Sequence, residues 1–201
     1  MTKLSANEIT AVILAGGMGR RMGGLDKGQI QLNHKPLIEW VIDAIRPQVK
    51  TILINANRNH DAYSDYGFPV LHDSFADYQG PLAGFAVGMQ AATTPFVVTM
   101  PCDGPFLAPD LVQRLLQTLQ AQQAEIAVAH DGERLQPVYA LLPVRLLPSL
   151  NAFLESGERK IDRWYSQHGI ALTDFSDSPS TFLNINTPAD RQKIEKSGVY
   201  A

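Results

Sequence analysis

The chain has 201 residues, a formal net charge of −3, and 45% apolar against 18% charged side chains. That balance suits one globular domain with a substantial core and excludes a disordered chain. It also leaves no basic footprint for a nucleic acid and no polybasic patch for a membrane surface. A single cysteine, Cys102, forbids an intrachain disulfide, and no apolar run approaches the roughly 18 residues of a membrane span. The N-terminal residues lack the apolar core of a signal peptide, so a cytoplasmic protein is expected.

Taken in chain order, Ile9–Leu14 is an apolar run that reads as a buried strand. Pro36 opens a helical pattern with Leu37, Trp40, Val41, Ala44 and Ile45 on one face. Thr51–Ile54 and Pro69–Leu71 are predicted as the second and third strands. The segment 81–92 is predicted as a helix rich in small residues, and Phe96–Met100 as the fourth strand. A further helix starts at Pro109-Asp110, with Leu111, Leu115 and Leu119 spaced four apart. After Ile126–Ala129, the turn Asp131-Gly132-Glu133 and the run Pro137–Leu142 predict a hairpin. Leu146–Leu154 and Lys160–His168 read as helices, and Thr187 is an N-cap for a last one. Strand–helix alternation with right-handed crossovers gives an α/β fold. The sheet is expected to be mainly parallel with an antiparallel element, and helices cover both faces.

Ligands in such sheets bind beyond the carboxyl ends of the strands. Four polar motifs fall there: Gly16–Lys27, Asn55-Ala56-Asn57-Arg58, Asp73, and Pro101-Cys102-Asp103. The first holds Gly16, Gly17, Gly19, Gly23 and Gly24 with Arg20, Arg21 and Lys27. Glycines let backbone N–H groups approach a ligand, and the cations neutralise it, so a polyphosphate is the expected guest. A P-loop is excluded because Lys27 stands between Asp26 and Gly28. The dinucleotide fingerprint breaks at Met22.

Asp103 follows a buried strand and is well placed to hold Mg²⁺; the plain alternative is a turn aspartate before Pro105. Asp73 could bind a ribose hydroxyl, assist the metal or cap the next segment. Asn55 could read a base edge or ribose, or serve a turn. The histidines lie in separate segments without zinc-ligand spacing, and no nucleophile context such as GxSxG is present. Cys102 reads as a small buried residue.

Leu14-Ala15-Gly16-Gly17-x-Gly19-x-Arg21-Met22-Gly23 followed by Asp26-Lys27 resembles the opening of sugar-phosphate-type nucleotidyltransferases. Asn55-Ala56-Asn57-Arg58, Asp73, Gly80-Pro81-Leu82-Ala83-Gly84, Pro101-Cys102-Asp103, Ser156–Lys160 and Asn184-Ile185-Asn186-Thr187-Pro188 narrow this. Together, and in the same order over nearly the whole chain, they are similar to the bacterial molybdenum cofactor guanylyltransferases.

The resemblance implies a Rossmann-like single domain over 1–201, with a nucleotide-binding part at about 1–108 and an acceptor part at about 109–201. It implies transfer of GMP from GTP to molybdenum-molybdopterin, giving molybdopterin guanine dinucleotide and pyrophosphate. Leu14, Ala15, Gly16, Lys27, Asn55, Asp73 and Asp103 would bind GTP, and Asp103 would hold Mg²⁺. Lys27, Asp103 and Arg21 would be catalytic. The pterin would lie near Asn184, Asn186 and Arg159. Partners would be GTP, molybdenum-molybdopterin, other cofactor-biosynthesis proteins and molybdoenzyme chaperones, around a monomer. Two departures stand out: Gly104, where a threonine is common, and His34, where a glycine is common.

The acceptor phosphate is already ionised at neutral pH, so its attack on the α-phosphorus needs no general base. Cations must offset the repulsion between the two anions. Three other readings stay open: a molybdopterin cytidylyltransferase, a sugar-1-phosphate nucleotidyltransferase, and a non-catalytic GTP-binding subunit.

Overall fold

In the computed structural model the residues described are 5–15, 26–73 and 80–197. Ile9–Leu14 forms β1, and its residues are buried along nearly the whole strand because helices cover both faces of the sheet. Thr51–Asn55 (β4) and Phe96–Pro101 (β6) flank it in parallel. Val70–Leu71 (β5) extends the β4 side. On the other side come Leu135–Pro143 (β8), Ile126–His130 (β7) and Ile170–Asp174 (β9). The seven-stranded order is β5-β4-β1-β6-β8-β7-β9, with β8 antiparallel to both of its neighbours. The expected hairpin is β7–β8. A two-residue pair, Gln31–Leu32 (β2) with Lys35–Pro36 (β3), stands apart.

Alternation along the strands separates two cores. Ile9, Ala11 and Ile13 of β1 face Leu37–Ile45 (α1) and Leu111–Ala121 (α4), whose Leu111, Leu115 and Leu119 are all buried there. Val12 faces the other side, against Pro81–Ala91 (α3) and Leu147–Glu155 (α5), with Trp164 and Tyr165 of Ile161–Tyr165 (α6). α3 comes unusually close to β1 and β4. A Cβ on Gly88 would stand 2.5 Å from Val12, and one on Gly84 would stand 2.5 Å from Asn55 Oδ1 and 2.6 Å from Leu14. A side chain at either crossing would force these neighbours to shift.

Several elements differ from the sequence expectation. Pro36 is the N-cap of α1, and Asp110 the N-cap of α4, instead of standing inside the first turn. The helix expected over Lys160–His168 is confined to Ile161–Tyr165. His60–Ser64 (α2) and β9 were not anticipated. In β9 the outward residues Ile170 and Leu172 are apolar and exposed, whereas Ala171 and Thr173 are buried, so the usual polarity signal is inverted. Pro188–Ser197 (α7) begins as expected: the Asp190 N–H donates to Thr187 Oγ1 at 3.1 Å. Among the described residues, no helix is long and apolar enough to cross a membrane.

β4 and β5 lie on one side of β1 and β6 on the other, so the chain reverses direction across the sheet between β1 and β6. A crevice opens beyond the carboxyl ends of strands at such a switch point. Leu14 ends β1, and Asp103 lies two residues past Pro101, the last residue of β6.

Candidate active site

The parallel ladder continues one residue past the strand ends. Ala15 N–H donates to Asn55 O at 2.7 Å, and Cys102 N–H donates to Leu14 O at 3.1 Å. These bonds hold Leu14 and Ala15 between Asn55 and the Cys102-Asp103 corner. Asp103 is 5% exposed, and its carbonyl accepts from Ile185 N–H at 2.9 Å, which ties the 184–186 segment to the same corner.

Lys27 reaches this corner from a 3₁₀ turn, Lys27–Gln29. Its ammonium lies 2.8 Å from Asp103 Oδ2 and 2.5 Å from Asn186 Oδ1. An ammonium has three N–H donors, and two are engaged here. Lys27 keeps 27% of its side chain exposed, which leaves the third donor open to a ligand. The turn is fixed by Asp26, a buried carboxylate that accepts from Gly28 N–H (3.2 Å), Asn59 Nδ2 (3.0 Å) and the Tyr63 hydroxyl. Asn59 adopts a left-handed conformation, φ 53°, to make that contact. Burial and the neighbouring Asp26 carboxylate push the Tyr63 phenol up, so it stays a donor.

A second cluster sits beside it, beyond β4 and β5. Asn55 Nδ2 donates to Asp73 Oδ1 at 2.9 Å and Asn57 Nδ2 to Asp73 Oδ2 at 2.6 Å. Asp73 N–H returns a bond to Asn57 Oδ1 at 2.9 Å. The close approach of Gly84 sets the Asn55 amide in place.

Of the residues singled out from the sequence, Leu14, Ala15, Lys27, Asp103 and Asn186 meet at the switch point, and Asn55 joins Asp73 next to them. Gly16 and Arg21 lie outside the described residues, as does the glycine loop from 16 to 25. Arg159 donates from one guanidinium nitrogen, at 2.6 Å, to the carbonyls of Leu154 and Glu158 at the C-terminal end of α5. Cys102 is buried, and burial with the adjacent Asp103 carboxylate pushes its thiol well up, so it is a packing residue. Asn57, Asp26, Tyr63 and Tyr139 were missed. The second asparagine of Asn55-Ala56-Asn57 was a usable signal, since alternate residues at a strand end share a face. Tyr63 and Tyr139 carry no such signal, because a buried aromatic is accounted for by packing alone.

Both sequence departures have a local explanation. His34 follows Asn33 in the two-residue turn joining β2 and β3, at φ 62° and 49° respectively, where glycine is the easier residue. Gly104 faces the Tyr139 hydroxyl so closely that any Cβ would collide with it.

The family pattern described as "MobA-like NTP transferase domain" matches residues 11–171. The chain belongs to that family. A molybdenum cofactor guanylyltransferase of Shewanella loihica is 52% identical over 94% of this chain and 97% of its own length. One from Shewanella sp. strain MR-4 is 53% identical over 93% of this chain and 95% of its own. Molybdopterin-guanine dinucleotide biosynthesis protein A from Archaeoglobus fulgidus superposes with a TM-score of 0.80. It covers 96% of this chain and 100% of its own at 23% identity, a likeness of fold. Membership in the NTP transferase family fits a crevice in which a cation, a buried carboxylate and oriented amides converge.

Proposed function

We propose that the protein transfers GMP from GTP to molybdenum-molybdopterin, forming molybdopterin guanine dinucleotide and pyrophosphate. The observation that carries the chemistry is the junction of Lys27 with Asp103 and Asn186 at the switch point. The choice of substrates rests on the name shared by relatives half identical over nearly the whole chain.

Asp103 suits a divalent cation. One carboxylate oxygen pairs with Lys27, and the other accepts no hydrogen bond among the described residues. No cluster of three or more His, Cys, Asp or Glu side chains stands among those residues. A single carboxylate complemented by phosphate oxygens is the donor set Mg²⁺ prefers. Bound there, Mg²⁺ would supply charge neutralisation to the α-phosphate and the leaving pyrophosphate.

The chain's own groups do the rest. Lys27 directs its third N–H to a phosphate oxygen while Asp103 and Asn186 hold the ammonium still. The Asn55–Asn57–Asp73 cluster receives the nucleoside. Asn184 and Asn186 hold the acceptor. A terminal phosphate oxygen of molybdopterin forms a bond to the α-phosphorus as the bond to the β-phosphate oxygen breaks in line. No proton has to move, so no general base is needed. The nucleotide-binding part, about 1–108, and the acceptor part, about 109–201, share the sheet through the β6–β8 pairing, and the Lys27–Asn186 bond links them at the site.

The test is pyrophosphate release with each NTP, with and without molybdenum-molybdopterin. Release with GTP and acceptor together is expected. Preference for CTP would overturn the guanylyl assignment, and release with a hexose phosphate but not the pterin would overturn the acceptor.

A further inference from the structure

Tyr139 of β8 is 2% exposed and packs edge-on against Phe182, ring centroids 4.9 Å apart. Its hydroxyl leaves the core at one point, over Gly104 and toward Asn184, whose Oδ1 is 3.4 Å away. That bond is long against the roughly 2.8 Å of a relaxed O–H···O contact. Burial and the nearby Asp103 carboxylate push the phenol up, so the hydroxyl remains a donor across the working pH range.

A carboxamide that accepts at its oxygen has its two N–H donors turned the other way. The same geometry recurs at Asn186, whose Oδ1 accepts from Lys27. Ile185 between them is fully buried, whereas Asn184 is exposed and Asn186 half-buried, so the two asparagines lie on the solvent side of the segment. Both amides therefore have their oxygens occupied from the protein side.

We infer that Tyr139 is a positioning residue: its hydroxyl holds Asn184 with the amide N–H groups facing the crevice, as donors to the anionic end of the acceptor. Gly104 is glycine because the hydroxyl needs the volume a Cβ would take. When Asn184 donates to an anion its oxygen becomes a better acceptor, and the long Tyr139 bond shortens. The choice of acceptor rests on the guanylyltransferase reading; the orientation of the amide does not.

Three variants test this: Tyr139→Phe, Gly104→Ser and the double variant. Tyr139→Phe keeps the ring packing, and its melting temperature should move by no more than about 2 °C. Its KM for molybdenum-molybdopterin should rise about threefold to tenfold, the size of one net hydrogen bond. The kcat and the KM for GTP should hold within about twofold. With Phe at 139 the nearest ring carbon would be 3.6 Å from a Cβ at 104, an ordinary contact, and the Asn184 amide oxygen, at 3.1 Å, has to give by a few tenths of an ångström for a serine to return a hydroxyl to the same space. The double variant should recover the acceptor KM to within about twofold, whereas Gly104→Ser alone should be worse than either. A structural role would produce no such rescue from another strand end. The Asn184 side-chain amide signals in a ¹⁵N–¹H spectrum of the free protein should shift in Tyr139→Phe and return in the double variant. An unchanged acceptor KM, or Asn184 signals unmoved by Tyr139→Phe, overturns the inference. Wild-type protein inert toward the acceptor overturns the functional reading alone, and the spectrum still decides the orientation.

Discussion

The two polar clusters at the switch point are built differently. Asn55, Asn57 and Asp73 come from one stretch of chain and arrange two amides around one carboxylate. Lys27, Asp103 and Asn186 come from segments 76 and 159 positions apart and centre on an ion pair. The first offers directional hydrogen bonds and suits recognition of a neutral nucleoside. The second places a fixed positive charge beside a buried carboxylate and suits the phosphates. Binding and transfer are therefore separable, and substitutions in the two clusters should damage different kinetic parameters.

The largest loss is expected from Asp103→Ala. Without its carboxylate the Mg²⁺-dependent release of pyrophosphate should fall by about a thousandfold or more, while GTP binding measured by calorimetry survives. Lys27→Met keeps the length and removes the charge. It should lower kcat/KM by about a hundredfold to a thousandfold in the same assay. In the other cluster, Asp73→Asn turns an acceptor into a donor facing Asn55 or Asn57. The KM for GTP should rise about tenfold to a hundredfold, the scale of hydrogen bonds to a charged group. An effect on kcat alone would erase the proposed division of labour.

A smaller effect sharpens the comparison by acting on Lys27 indirectly. Asp26→Asn leaves one of Asn59 Nδ2 and the Tyr63 hydroxyl facing an NH₂ group, loosening the turn that carries Lys27. Turnover should fall by about tenfold, with added mobility of Lys27 signals in NMR relaxation. The smallest effect lies outside both clusters. His34→Gly relieves a left-handed residue and should raise the melting temperature by about 2 to 4 °C with unchanged kinetics.

The legibility of the chain follows the same division. β1, β4, β6 and α4 were readable because burial on two faces, or on one helical stripe, leaves a periodic trace. Asp103 stood out because a carboxylate just past a buried run is costly without a use, and Lys27 because it closes a glycine-rich stretch that already carries Arg20 and Arg21. β9 escaped because its exposed positions carry Ile170 and Leu172. α2 escaped because it is five residues long and starts from the left-handed Asn59. Asn57 was in plain view, but its partnership with Asp73 depends on the β4–β5 pairing, which only the folded sheet provides. Tyr139 occupies an inward position on a strand, where an aromatic ring explains itself by packing; its hydroxyl acquires meaning from Gly104 and Asn184, more than thirty residues away on either side. Helix boundaries near Pro36 and Asp110 shifted because caps are set by local φ and ψ, not by periodicity.

The most direct measurement is steady-state kinetics of pyrophosphate release for Asp103→Asn and Asp73→Asn side by side, with GTP varied at saturating Mg²⁺ and acceptor. The account predicts that Asp103→Asn loses kcat at a nearly unchanged KM for GTP, and that Asp73→Asn raises that KM at a nearly unchanged kcat. If both variants lose the same parameter, or the two losses are exchanged, the two clusters do not divide transfer from recognition.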